Sequence, residues 1–281
     1  MKTIGILLAA LVATFTATIS TTALAQDKAQ NEPGEPATND RLGGHAASSF
    51  QLNPNVIKLD AGVHYRRDWF QVGAGVHATP SYVAPALQLE AFAGPSFSLK
   101  GEYAYMRYTA EGRGLIAFAS KDASYDTSVL ERRDPRGGGT HRVTLTPNGK
   151  LQLGPVLLKM KNDISYLHTS ERGEAFYLPD YDVLVRKDDV FLASRTDVLF
   201  QPWKNGGSAA SGLAFGPSLQ STWAIRTSLM RSRVGATIGY TPADSVAFFQ
   251  RPTIVLDVGV NATDEHHQGE GYGALALSTE L

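Results

Sequence analysis

There is no cysteine in these 281 residues. Disulfide staples, thiolate metal sites, iron–sulfur ligation and thiol nucleophiles are excluded, so the fold must hold by packing and hydrogen bonding. An excess of charge of one sign is missing too. Lys and Arg number 26 against 27 Asp and Glu, a formal net charge of −1 at pH 7. That balance gives no electrostatic case for a nucleic-acid partner. A long apolar run is also absent. The stretch Ile4 to Val12 is soon interrupted by Thr14, Thr16, Thr18 and Ser20, whereas a spanning helix needs about 20 apolar residues. No amphipathic helical pattern of three turns or more is found, and no repeat of fixed length.

The N-terminus supplies the first positive signal. Lys2, the apolar Ile4–Val12 core and Ala23-Leu24-Ala25 before Gln26 form the charged, apolar and small-residue regions of a secretory signal peptide. Residues 1–25 are expected to be removed on export. Residues 26–42 are rich in Pro, Gly, Asn and acidic residues and hold almost nothing apolar. Such a segment cannot offset its ordering entropy and reads as a flexible periplasmic leader. Residues 43–281 are left as the folded domain.

That domain has one period, and it is two. Ile57, Leu59, Ala61, Val63 and Tyr65 alternate with Lys58, Asp60, Gly62, His64 and Arg66. Successive strand side chains point to opposite faces, so one face is greasy and the other wet. The pattern recurs in Phe70–Val76, Leu87–Ala91, Phe97–Tyr105, Val143–Leu153, Val156–Tyr166, Leu213–Leu219, Val234–Tyr240 and Ile254–Val260. Residues 190–200 fit less cleanly. A soluble β-sandwich alternates as well, but three features favour a transmembrane barrel. The strands run about 10–14 residues, near the 9–11 needed to cross a bilayer at a tilt. Connections are unequal: Gly94-Pro95 and Gly154-Pro155 are tight turns, while 109–139 and 170–189 are long charged loops. Aromatics gather at strand ends (Tyr65, Trp69, Phe70, Tyr82, Tyr103, Tyr105, Tyr166, Phe200, Trp203, Tyr240), as in an interfacial girdle.

The fold class is therefore all-β, a transmembrane antiparallel β-barrel. Counting back from 269–281 gives strands at 251–262, 231–241, 210–222, 189–201, 155–169, 140–153, 96–108, 82–93, 68–78 and 55–66. An even count adds one at 43–52, for about 12 strands, with 10–14 possible. Both Gly-Pro turns fall in the periplasm and both long loops outside. The final strand GYGALALSTEL closes against the first, because a sheet in lipid can leave no open edge. It resembles the C-terminal targeting strand of Gram-negative outer-membrane proteins, with Leu281 where that class usually has phenylalanine and Thr279 on the apolar parity. The resemblance implies a Gram-negative outer-membrane location, contact with outer-membrane lipids and the assembly machinery during biogenesis. It names a class and no specific family.

For function the lumen is the place to look. The inward parity carries Lys58, Arg66, Lys100, Arg142, Lys150, Lys159, Lys161, Arg195, Arg231, Arg233 and Arg251, against Asp60, Glu90, Glu102, Asp163, Asp197, Asp257 and Glu280. Basic residues around a narrow pore favour anions. The reading is a porin-like channel for small, anion-leaning solutes, with Lys58, Arg142, Lys150, Lys159, Lys161, Arg195, Arg231, Arg233 and Arg251 as the solute-facing set. Lys150 is expected opposite Lys159, and Glu90 beside Lys100 as a salt bridge. The alternative is a structural or adhesive barrel acting through its loops, for which the lumen would be blocked.

A third reading is a lipid-modifying enzyme. His168 and Ser170 lie two apart on the lipid-facing parity, and outer-membrane phospholipases and lipid A deacylases carry a similar His-x-Ser. An asparagine follows that serine in one such motif; here Glu171 does. A polar rim at headgroup level accounts for the same residues. No catalytic residue beyond these two, no metal site and no cofactor is expected. The Asp264-Glu265-His266-His267 cluster falls on a loop tip, and the glycines of 133–142 lack the strand-to-helix context of a phosphate loop.

Overall fold

The computed structural model describes residues 43–52, 57–67, 69–109, 115–123, 125, 127–130, 136–203, 212–242, 250–263 and 268–280. The expected signal peptide, the leader, residues 133–135 and the 264–267 cluster lie outside the described residues, as does the side chain of Arg251. In chain order the strands are β1 (Gly43–Leu52), β2 (Ile57–Arg67), β3 (Phe70–Ala78), β4 (Tyr82–Phe92), β5 (Phe97–Tyr108), β6 (Ile116–Phe118), β7 (Gly138–Leu153), β8 (Val156–Thr169), β9 (Ala175–Leu178), β10 (Val183–Arg186), β11 (Asp188–Trp203), β12 (Gly212–Ala224), β13 (Leu229–Thr241), β14 (Gln250–Thr263) and β15 (Gly271–Glu280). The helical content of the described residues is α1, Thr127–Leu130.

Twelve of these strands close into one antiparallel barrel, β1-β15-β14-β13-β12-β11-β8-β7-β5-β4-β3-β2. Closure is made by β1 against β15, with Ala47 opposite Glu280 and Leu52 opposite Leu275. The outward parity is apolar and exposed around the ring, through Val63, Leu87, Leu145, Ile164, Val234, Ile254 and Leu277. That is a surface made for hydrocarbon. Backbone polar groups are paired strand to strand, which lipid requires. The Gly-Pro turns use glycine where a left-handed backbone is needed: Gly94 has φ 73° and Gly154 φ 57°. The chain is an outer-membrane-type β-barrel with short periplasmic turns.

The long loops differ from the sequence expectation. They were expected to stand outside as charged segments, yet part of each folds. Strands β6, β9 and β10 form a separate sheet in the order β10-β9-β6. One face, with Phe176, Leu178, Val183 and Val185, packs on inward residues of the barrel wall: Tyr82, Ala84, Ala86, Ala104, Met106, Leu167, Phe191 and Ala224. The other face, with Ile116, Phe118, Ala175, Tyr177 and Leu184, packs under Tyr125, Val129 and Leu130. The β9–β10 hairpin is thus a plug inside the extracellular half of the lumen, capped by the preceding loop. It also accounts for one irregularity in the alternation of 190–200. Phe191 points inward, where a wet lumen would want polarity, because the plug covers it. Tyr82, expected in the girdle, is buried in the same contact at 0% exposure.

Candidate functional site

The plug is held by buried charge. Its tip is Pro179-Asp180-Tyr181-Asp182, closed by a Tyr181 N–H to Leu178 carbonyl bond of 3.2 Å. Asp182 sits at φ 52°, a left-handed conformation that Asp tolerates better than most residues. Its carboxylate accepts from Arg231 Nη1 and lies 3.7 Å from Arg233 Nη2. Arg231 also donates to Asn261 Oδ1 at 3.0 Å, as does Arg233 at 3.1 Å. Tyr177 donates to Asp182 at 2.6 Å. Burial, reinforced by that carboxylate, pushes the Tyr177 phenol well up, so the hydroxyl stays a donor. On the other side of the tip, Tyr82 donates to Asp180, and Arg142 lies 3.8 Å from the same carboxylate and 3.5 Å from Glu102. Side chains of Arg142 and Arg231 are each 5% exposed. At its base, Asp189 accepts the Arg186 and Arg226 backbone N–H groups at 2.9 and 3.0 Å.

Below the plug the lumen opens. One cavity of about 530 Å³ is lined by Ser49, Asp60, His64, His77, Gln88 and Glu102. Another of about 800 Å³ reaches the periplasmic turn at Gly94-Pro95 and is lined by Lys150, Lys159, Lys161, Arg195 and Asp257. A third, about 260 Å³, lies directly under Asp180 and Tyr181.

The basic residues singled out from the sequence therefore fall into three settings. Arg142, Arg231 and Arg233 are plug anchors. Lys58 pairs with Asp60 at 3.3 Å, and Arg195 is clamped by Asp197 at 2.9 Å, Asp257 at 2.8 Å and Thr237 at 3.0 Å. Lys150 and Lys159 are opposite each other in register, as expected, and have no carboxylate partner among the described residues. Lys161 is half exposed and lies 3.3 Å from Asp163. The expected Glu90–Lys100 bridge is not made. Those residues are register partners, but Lys100 turns to Glu102 at 3.2 Å and Glu90 accepts from Ser98 at 2.5 Å. Glu102 lies two residues along the same strand on the same inward parity, within reach of the Lys100 amine.

His168 does face outward, on the lipid side. Its Nδ1 meets Asp188 Oδ1 at 2.5 Å, and no hydrogen bond joins it to Ser170 among the described residues. A serine nucleophile needs its base within about 3 Å, and the hydrogen-bond partner of His168 here is Asp188. Sequence reasoning missed Asp180, Tyr181 and Asp182. Two signals were there. Ala175–Leu178 and Val183–Arg186 flank Pro-Asp-Tyr-Asp as a hairpin does. And Ala84, Ala86, Ala104, Met106 and Phe191 put apolar side chains on the inward parity.

No protein-family model matches this chain, and no curated protein matches it. Among solved structures it is similar to LpxR from Salmonella typhimurium, at 11% identity and TM-score 0.43 over 84% of this chain and 99% of that one. It is similar to an outer membrane channel from Pseudomonas putida, at 10% identity and TM-score 0.47 over 88% and 98%. The translocator domain of the autotransporter NalP from Neisseria meningitidis matches at 10% identity and TM-score 0.40 over 96% of each chain. At such identities the likeness is one of barrel architecture and not of activity.

Proposed function

We propose that this barrel sits in the outer membrane of a Gram-negative bacterium as a channel for small, anion-leaning solutes, closed on its extracellular side by the β9–β10 hairpin. The observation carrying the reading is the asymmetry of the lumen. Its periplasmic half holds an open space of about 800 Å³ into which Lys150 and Lys159 project, unpaired by acids among the described residues, and a basic lining attracts anions. Lys58, Lys161, Arg195, Arg231, Arg233 and Arg142 then serve the pore by charge or by seating the gate. Arg251 joins the set on parity alone. The barrel's partners are outer-membrane lipids, the assembly machinery during biogenesis, and the solute; no cofactor, metal or nucleic acid enters the scheme, and no catalysis is assigned.

A second reading, a structural or adhesive barrel acting through its outer loops, draws support from the dry packing of the plug in the upper lumen. Planar-bilayer conductance decides between them. With residues 175–186 replaced by a short Gly-Ser link, the channel reading expects discrete steps with anion preference in a salt gradient, where the parent chain is closed or flickers. A folded deletion variant, shown by heat-modifiable mobility, that stays silent would sink the channel and favour the loops.

A further inference from the structure

The lipid-facing wall carries a polar row of aromatic and titratable side chains, independent of the lumen. Tyr105, His141, His168 and Asp188 are consecutive register partners across β5, β7, β8 and β11. Their rings touch in sequence: Tyr105 and His141 centroids are 4.9 Å apart, His141 and His168 6.3 Å. Tyr103 Oη lies 2.8 Å from His141 Nδ1. Asp188 Oδ1 lies 2.5 Å from His168 Nδ1 and accepts from Tyr166 Oη at 3.2 Å. A Cβ at Gly139 would sit 2.6 Å from the Tyr105 hydroxyl, so glycine there leaves the room into which Tyr105 lies. With both Nδ1 atoms engaged, the Nε2 of each imidazole has no partner among the described residues. The exposed Arg107 follows Tyr105 by two residues on the same face, and the exposed Arg226 of the β12–β13 turn acts electrostatically on Asp188.

One fact says that the row is a site rather than the ordinary interfacial girdle. It is built, with each imidazole oriented by an oxygen, whereas a girdle needs only aromatic rings. Outward residues at the extracellular ends of other strands include Val83, Trp223, Met230 and Val260, all apolar and exposed. Polar groups on a membrane-facing wall are costly at depth and mark function. Just beneath the row lie Val143, Leu145 and Ile164, exposed to hydrocarbon. An occupant must therefore have acyl chains below and a polar head at the row.

We infer that the Tyr105–His141–His168–Asp188 row binds the phosphate-bearing headgroup of an outer-leaflet lipid. Imidazole N–H groups and the Arg107 and Arg226 guanidiniums supply donors to phosphate oxygens. His168, held at Nδ1 by the Asp188 carboxylate, presents its Nε2 to the bound anion, and the tyrosine hydroxyls meet the sugar or glycerol hydroxyls. The ligand class is a phosphorylated glycolipid; free phosphate lacks the chains that would hold it at this depth.

The test uses the full chain in phosphatidylcholine nanodiscs doped with phosphorylated lipid A or with its dephosphorylated form. Native mass spectrometry after transfer to detergent reads the retained lipid. The wild type is expected to keep the phosphorylated form, and His141→Gln with His168→Gln to lose at least tenfold in retention while heat-modifiable mobility is unchanged. In a second measurement, ¹⁵N-labelled histidines of the unmutated barrel should shift at His141 and His168 on adding phosphorylated lipid A, which keeps the inference testable even where the double variant fails to fold. Equal retention of the dephosphorylated lipid, full retention by a folded double variant, or unmoved imidazole signals would each overturn it. So would the same shifts produced by inorganic phosphate without lipid, which would assign the row to a soluble anion.

Discussion

The two halves of the lumen use the same kinds of residue to opposite ends. In the extracellular half, Arg142 and Arg231 are buried against carboxylates of a loop that has folded inward. In the periplasmic half, Lys150 and Lys159 face each other across a hairpin with open space before them. Burial makes the difference. A charge removed from water must be matched by a partner, and the matched pair then fixes geometry; a charge left in water costs little and stays available to a solute. Arginine's fork suits the first role, binding Asp182 and Asn261 at once. Lysine's mobile point charge suits the second.

Mutations can break that comparison, beginning with the plug. Arg231→Met strands the Asp182 carboxylate among buried groups, a loss of about 3–5 kcal/mol in hairpin docking. Hydrogen exchange at 175–186 should accelerate accordingly, while the barrel strands keep their protection. Unchanged protection would mean that Arg231 is not a latch. Phe176→Ala removes a side chain that is 1% exposed, and should loosen the same segment by about 3 kcal/mol, the low end for such truncations because a hairpin tethered at one rim relaxes easily. Limited proteolysis between β9 and β10 checks this, the variant being cut where the parent is resistant.

The lower half should respond in function and hardly in stability. Lys150→Glu with Lys159→Glu is expected to leave unfolding within about 0.5 kcal/mol of the parent. In a plug-deleted background the same pair should reverse the sign of the zero-current potential in a salt gradient. Retained anion preference would move the selectivity to Arg195 and its neighbours. The smallest effect is Lys159→Met alone. Relieving the like-charge pair opposite Lys150 should stabilise the barrel by about 0.2–1 kcal/mol, visible as a small rise in denaturant midpoint that fades in high salt.

Most of the barrel was legible beforehand because its rule is local. A period of two needs only neighbouring residues, and the expected 82–93, 96–108 and 155–169 segments match β4, β5 and β8 to within a residue at each end. The Lys150–Lys159 opposition followed from the Gly154-Pro155 turn, since a tight hairpin sets register. The His168 outward orientation followed from parity. The failures share a cause. Glu90–Lys100 was inferred from pair geometry, but Lys100 had more than one acid in reach, and it meets Glu102, two residues along its own strand. Tyr82 was assigned to the girdle by its position at a strand end, and a loop about 100 residues later in the chain covers it from inside.

Alternation and backbone pairing in hydrocarbon admit little else than strands, a lipid-meeting face and a sheet that closes, so these are written in the order of the residues. That the β9–β10 hairpin turns inward, that Asp180 and Asp182 meet Arg142 and Arg231, and that Tyr105, His141, His168 and Asp188 line up across four strands emerges from the folded barrel alone. These contacts join residues far apart in the chain through registers and burial that no local pattern encodes, so they exist only once the barrel has closed around them.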